Sequence, residues 1–196
     1  FLSPILKCLI SLTIFSLLPP LGKLMADYDV FNGDADGICA LTQLRLADPR
    51  STALVTGVKR EINLLKKVDA TNGDRLTVLD VSMDKNHDDL QRLLNAGTEV
   101  FYVDHHFAGD IPESEKLTAI INEAPEVCTS LLVNTHLKGA YAAWAVVGAF
   151  GDNLNKSALV IAKNLDLSDT KLTSLKNLGI YINYNGYGSD LEDLHF

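Results

Sequence analysis

A chain of 196 residues, 47% hydrophobic and 21% charged, holds enough apolar material for one folded domain, which excludes a disordered polymer. Its net charge of -8 excludes general adhesion to a nucleic-acid backbone as the default, although bound cations can reverse the sign locally. Three widely spaced cysteines, Cys8, Cys39 and Cys128, give neither a disulfide framework nor a thiolate zinc site, and point to a reducing compartment, the cytoplasm.

Residues 1–24 form an apolar N-terminal extension with Lys7 early and Pro19-Pro20 near its end. The apolar run from Cys8 to Leu18 is short for a membrane span, so no stable membrane partner is expected. Met25-Ala-Asp opens sequence that reads at once as domain, and the favoured reading places the true start there. A working signal in residues 1–24 would instead export or anchor the protein.

From Met25 onward, strand-like and helix-like segments alternate. Tyr28–Phe31 predicts a strand, followed by the turn Asn32-Gly33-Asp34. Ile38, Leu41, Leu44 and Leu46 then predict the apolar face of a helix that ends at Asp48-Pro49. Thr52–Val55 predicts a second strand, and Glu61–Val68 a helix with Ile62 and Leu65 on one side. A third strand is expected over Leu76–Asp80, a helix over His87–Leu94 closed at Gly97, and a fourth strand over Thr98–Val103. Leu117–Ile121 predicts a fifth strand. Helices are expected over Ser130–Leu137, Ala140–Phe150, Ser157–Asn164 and Leu172–Leu178, and no period is visible from Tyr181 on. The expected fold is α/β: a doubly wound, mainly parallel sheet with helices on both faces, followed by a helical segment.

The fourth strand runs directly into Asp104-His105-His106, two imidazoles that cannot share one packing role on an extended chain. Asp34-Ala-Asp36-Gly37 follows the first strand, where alternating acids on a turn can converge on a divalent ion. Each motif alone has an ordinary explanation. Asp34 or Asp36 can cap a helix, Asp80 can be a strand-end acid, and Asp152 can terminate the helix after Phe150. The set is more informative, because strand ends of a doubly wound sheet lie along one edge and bring these groups together. Cations held by carboxylates and imidazole suit phosphoryl chemistry.

Two rivals use the same residues. An EF-hand loop starting at Asn32 would need a bidentate acid where Gln43 stands, and would follow a helix instead of a strand. A haloacid-dehalogenase-type phosphatase would use Asp34 as nucleophile and Asp36 as acid/base, with Asp152 in its late motif. It needs a small hydroxyl residue at Ile38 and leaves Asp104-His105-His106 without a role.

The motifs Gly33-Asp-Ala-Asp-Gly37, Val78-Leu-Asp80, Val103-Asp-His-His106 and Gly148-Ala-Phe-Gly-Asp152, in that order, resemble the DHH phosphoesterase superfamily, which includes RecJ-like exonucleases and oligoribonucleases. The resemblance implies a metal-dependent phosphoesterase with two Mn²⁺ ions, or Mg²⁺ in their place, held by Asp34, Asp36, Asp80, His105 and Asp152. It implies Asp104 as the orienter of a histidine, and His106 as the group that contacts the phosphate or protonates its leaving group. The implied substrate is a phosphorylated small molecule, a nucleotide or a short nucleic acid, attacked in line at phosphorus by metal-activated water. Pyrophosphatase-like and oligoribonuclease-like members carry a histidine where Val30 stands, which leaves Asn32 as the polar group available there. Members also carry a C-terminal domain with a glycine-rich substrate-binding motif. The reading here is a DHH-type domain over 25–196 without it. Asn32, Lys59 and Arg60 are further candidates for contact with phosphate. Tyr141 and Trp144 are expected in the core, and His87, His136 and His195 on the surface. A noncatalytic nucleotide-binding domain with the same fold is the alternative from a different class.

Overall fold

The computed structural model describes residues 25–58 and 60–186; residues 1–24, Lys59 and the tail after Gly186 lie outside the described residues. Five strands form one sheet: β1 (Asp27–Asn32), β2 (Ala53–Gly57), β3 (Arg75–Leu79), β4 (Glu99–Asp104) and β5 (Leu117–Ile121). All neighbouring pairs are parallel, in the order β2-β1-β3-β4-β5. The register sets Val30 beside Val78, Val78 beside Tyr102, and Leu79 beside Val103. Sequence order reverses between β1 and β3, which makes the carboxyl ends of those strands the crevice of a doubly wound sheet.

The central strands are apolar on both sides, as a sheet covered on both faces requires. Val30, Val78 and Tyr102 face one layer of core with Leu64, Leu65, Leu90 and Leu93. Phe31, Leu79 and Val103, one residue further along each strand, face the other layer with Ala40, Leu44 and Val133. The first layer is covered by α2 (His87–Asn95) and the chain before β3. The second is covered by α1 (Ala35–Ala47) and α3 (Thr129–His136). Behind these lie α4 (Ala142–Gly151), α5 (Asn155–Ala162) and α6 (Asp169–Asn185), which pack together around Val146, Phe150 and Ala158. The expected architecture is therefore present, including the helical segment after the sheet.

Three local expectations are corrected. Residues 61–68 form only a short 3-10 turn at Leu65–Lys67, and Ile62 is exposed. The backbone there is held by distant side chains: the Leu65 N–H donates to Asn86 Oδ1, Asn86 Nδ2 donates to the Ile62 carbonyl, and Arg92 Nη2 donates to the carbonyls of Leu65 and Val68. These bonds replace those of a helix, so Leu64, Leu65 and Val68 enter the core from an irregular chain. Second, α1 turns Ile38, Leu41 and Leu44 toward the core as expected but exposes Leu46, and it also buries Ala35, Cys39, Ala40 and Gln43. Small residues face inward because α1 packs closely on α4, where a Cβ on Gly148 would lie 3.1 Å from that of Cys39. Third, α6 is a full 17 residues, so the stretch from Tyr181 to Asn185 is helical. Tyr141 and Trp144 are half-buried, short of the core position expected of them. No helix among the described residues is long and apolar enough to cross a membrane.

Candidate metal centre

The three acidic motifs meet at the carboxyl edge of the sheet because each follows a central strand. After β1 the chain turns at Gly33 and enters α1 with Asp34 as N-cap, its Oδ1 accepting from the N–H groups of Asp36 (3.1 Å) and Gly37 (3.2 Å). Gly37 is required by proximity: a Cβ there would lie 2.3 Å from the Asn32 carbonyl oxygen, so the helix could not start so close to the strand. After β3, Asp80 sits at φ 58°, a left-handed conformation unusual for a residue other than glycine, while its N–H donates to the Val103 carbonyl. β4 ends at Asp104, and both following imidazoles turn toward Asp80.

The geometry is specific. His105 Nε2 lies 3.3 Å from Asp80 Oδ1 and 3.9 Å from Asp36 Oδ2. His106 Nδ1 lies 2.7 Å from Asp104 Oδ1 and 3.9 Å from Asp80 Oδ1. The two rings are tilted, with centroids 4.5 Å apart. Ligand atoms of Asp80, His105 and His106 lie within 4.8 Å of one another, as do those of Asp36, His105 and Asp152. His105 is common to both sets. Asp34, Asn32 and Asp152 line the same cavity of about 200 Å³ with Asp80, His105 and His106. Arg60 is exposed and does not line it, and Lys59 lies outside the described residues.

The electrostatics call for a cation. Asp34, Asp36, Asp80 and Asp104 are at most 3% exposed. Among the described residues no lysine or arginine pairs with Asp36, Asp80 or Asp104. Burial, followed by the charges of Asp34, Asp36 and Asp104, raises the pKa of Asp80 well above the usual carboxylate range. Asp104 Oδ2 is buried with no hydrogen-bond partner among the described residues. The hydrogen bond to Asp104 raises the pKa of His106 above the usual imidazole range, against the opposing effect of burial. Buried carboxylates at this density are stable when a divalent ion compensates them, and a mixed oxygen and imidazole donor set suits Mn²⁺ and similar ions. The residues present fit such a group.

Several participants carried no signal in the sequence. Glu61, Ile62, Leu64, Val81 and Ser82 form the rest of the cavity wall. Glu61 also pairs with Lys67 Nζ at 2.7 Å. Thr129 and Ser130, at the start of α3, donate their backbone N–H groups to Asp36 Oδ2 (2.7 Å) and Oδ1 (2.8 Å). Nothing local to residues 128–130 marks them as partners of an acid over 90 residues away.

The DHH domain of a member of the S1p family of ribosomal proteins superposes with a TM-score of 0.58 at 15% identity. The match covers 93% of this chain and 53% of that one. The chain has the fold of a DHH domain. The exonuclease RecJ, in a crystal structure bound to manganese, matches with a TM-score of 0.52 at 18% identity, over 82% of this chain and 53% of RecJ. The chain thus spans about half the length of each of these two DHH-fold proteins. No protein-family model and no curated protein matches the sequence.

Proposed function

We propose that this chain is a phosphoesterase domain of the DHH superfamily, which hydrolyses a phosphoester or phosphodiester with the help of divalent ions. The observation that carries the reading is the convergence of Asp36, Asp80, His105, His106 and Asp152 into two overlapping ligand sets at the switch point of the sheet. Asp34, Asp36, Asp80, His105 and Asp152 would hold the ions, Mn²⁺ or Mg²⁺, and two ions would satisfy the two sets. When bound, such ions neutralise phosphoryl oxygens and lower the pKa of a coordinated water.

The remaining roles belong to the chain's own side chains. Asp104 accepts from His106 Nδ1 and so fixes the ring, leaving Nε2 as the nitrogen available to a substrate. The hydrogen bond to Asp104 raises the His106 pKa and so favours its protonated form, which suits it to donate to a phosphate oxygen or to the leaving group. Asn32 on the cavity wall supplies an amide to the same oxygens, and Arg60, though outside the wall, is the nearest described cation in sequence to it. The manganese-bound exonuclease with this fold supports a nucleotide or short oligonucleotide as substrate. A cytoplasmic setting accords with Cys39 and Cys128 as buried free thiols.

The haloacid-dehalogenase alternative fits the geometry poorly. Its acid/base would be Asp36, yet both oxygens of Asp36 are engaged by backbone N–H groups of Thr129 and Ser130. The decisive experiment is hydrolysis of bis(p-nitrophenyl) phosphate by the full chain with and without Mn²⁺. Mn²⁺-dependent turnover that is lost in Asp80→Ala is expected, and equal turnover in that variant would sink the reading. Nucleotide binding without metal uptake would favour a noncatalytic domain instead.

A further inference from the structure

Asp36 and Asp80 come from different elements, yet besides His105 a residue outside both ligand sets touches the two. Thr129 is fully buried at the start of α3. Its N–H donates to Asp36 Oδ2 at 2.7 Å, and its Oγ1 donates to Asp80 Oδ1 at 3.4 Å. The next N–H, from Ser130, takes the other oxygen of Asp36 at 2.8 Å. Two successive amides of a helix terminus therefore hold both oxygens of one carboxylate and stop its rotation.

The start of α3 is itself held from below. Gln43 lies on α1 two turns beyond Asp36, is fully buried, and donates from Nε2 to the Ser130 carbonyl (3.0 Å) and the Cys39 carbonyl (3.2 Å). α1 thus grips the first turn of α3 at two points, Asp36 and Gln43.

We propose that Thr129, held in place by Gln43, is a positioning residue that fixes the spacing between the Asp36 and Asp80 carboxylates. The inference rests on the metal-binding role proposed above. Its physical content is preorganisation: a ligand pair already at its working spacing loses nothing to rearrangement when an ion arrives. The hydroxyl of Thr129 is the adjustable part, since any residue at 129 except proline retains the N–H.

Titration of the full chain with Mn²⁺, followed by calorimetry and by the paramagnetic resonance signal of free Mn²⁺, tests this. Thr129→Val keeps the shape and removes the hydroxyl. It is expected to lose about 10–100-fold in Mn²⁺ affinity, the usual range for outer partners of metal ligands. The metal-free variant should melt at an unchanged or higher temperature. Thr129→Ser restores the hydroxyl and should bind within roughly threefold of the parent protein. Equal affinity in Thr129→Val and the parent, or an equal loss in Thr129→Ser, overturns the positioning role and leaves the metal site standing. A parent protein that takes up no Mn²⁺ overturns the functional reading and this inference together. If Thr129→Val does not fold, Gln43→Met loosens the same grip from α1 and should weaken Mn²⁺ binding several-fold. Unchanged affinity there overturns the proposal.

Discussion

Toward the amino end of the sheet, a buried acid is paired with an arginine; at the carboxyl edge, the equally buried Asp36, Asp80 and Asp104 pair with no arginine or lysine among the described residues. Asp29, 1% exposed on β1, is bound by both Nε and Nη2 of Arg45 and by the hydroxyl of Thr52. Nearby Asp27 pairs with Arg75 through two bonds of 2.8 and 2.6 Å. At the carboxyl edge, among the described residues, Asp36 has backbone amides and His105, and Asp80 and Asp104 have a hydroxyl, imidazoles and other acids. One fold thus contains a closed solution and an open one to the same electrostatic problem. The closed one is architecture. The open one concentrates negative charge, and under the proposed function it is where a positive ion would do the work that Arg45 does for Asp29.

The contrast can be broken from either side. The largest effect is expected at the closed end: Arg45→Met strands Asp29 and should cost about 3–5 kcal/mol in a chemical-denaturation experiment. Retained stability would show that Asp29 does not depend on its partner. At the open end, Asp80→Ala should reduce Mn²⁺-dependent phosphodiester hydrolysis by at least about 100-fold, beyond what loss of an outer partner costs. The same position should behave oppositely without metal. Asp80→Asn in the metal-free chain relieves repulsion among buried acids and should raise stability by about 1–2 kcal/mol, on the scale of function-costing residues. Asp29→Asn in parallel should lower it, and matching signs for the two would erase the distinction. Asp104→Asn removes the charge that strengthens the hydrogen bond to His106 and helps raise its pKa, so a histidine titration by NMR should find that pKa lower. The smallest effect is expected on the rim, where Ile62→Ser should change stability by under about 0.5 kcal/mol.

Much of this was legible in the residues. All five strands fall where hydrophobic runs end in turn residues, and β5 over Leu117–Ile121 matches to the residue. The positions of Asp34, Asp80 and Asp104-His105-His106 followed from those strands, since parallel neighbours must end on one edge. Position does not by itself assign a role: the structure also makes Asp34 an N-cap and places Asp152 at the C-cap of α4, the ordinary explanations for both. What the sequence could not reveal was structure held by side chains from elsewhere. Residues 61–68 have a helix-like pattern, but Asn86 and Arg92 satisfy their backbone instead. The expected α6 stops at Leu178, just before Gly179 interrupts its apolar pattern, whereas the helix continues to Asn185. Thr129 was invisible because its partners arrive from two other elements.

Gly179 also has a wider consequence. A Cβ there would lie 2.3 Å from the Val147 carbonyl oxygen, and a Cβ on Gly151 would lie 2.2 Å from the Cβ of Ala35 and 2.8 Å from the Gly179 carbonyl oxygen. Main chain therefore meets main chain where α4 crosses α6, and Asp152 follows on the last turn of α4. Its height above the sheet is set by helix diameters, not by the length of an intervening side chain. Mutational tolerance should be divided accordingly. The solvent-facing positions of α6, such as Tyr181 and Tyr184, can accept many residues, while any enlargement at Gly151 or Gly179 lifts one corner of the acidic cluster out of reach of the rest.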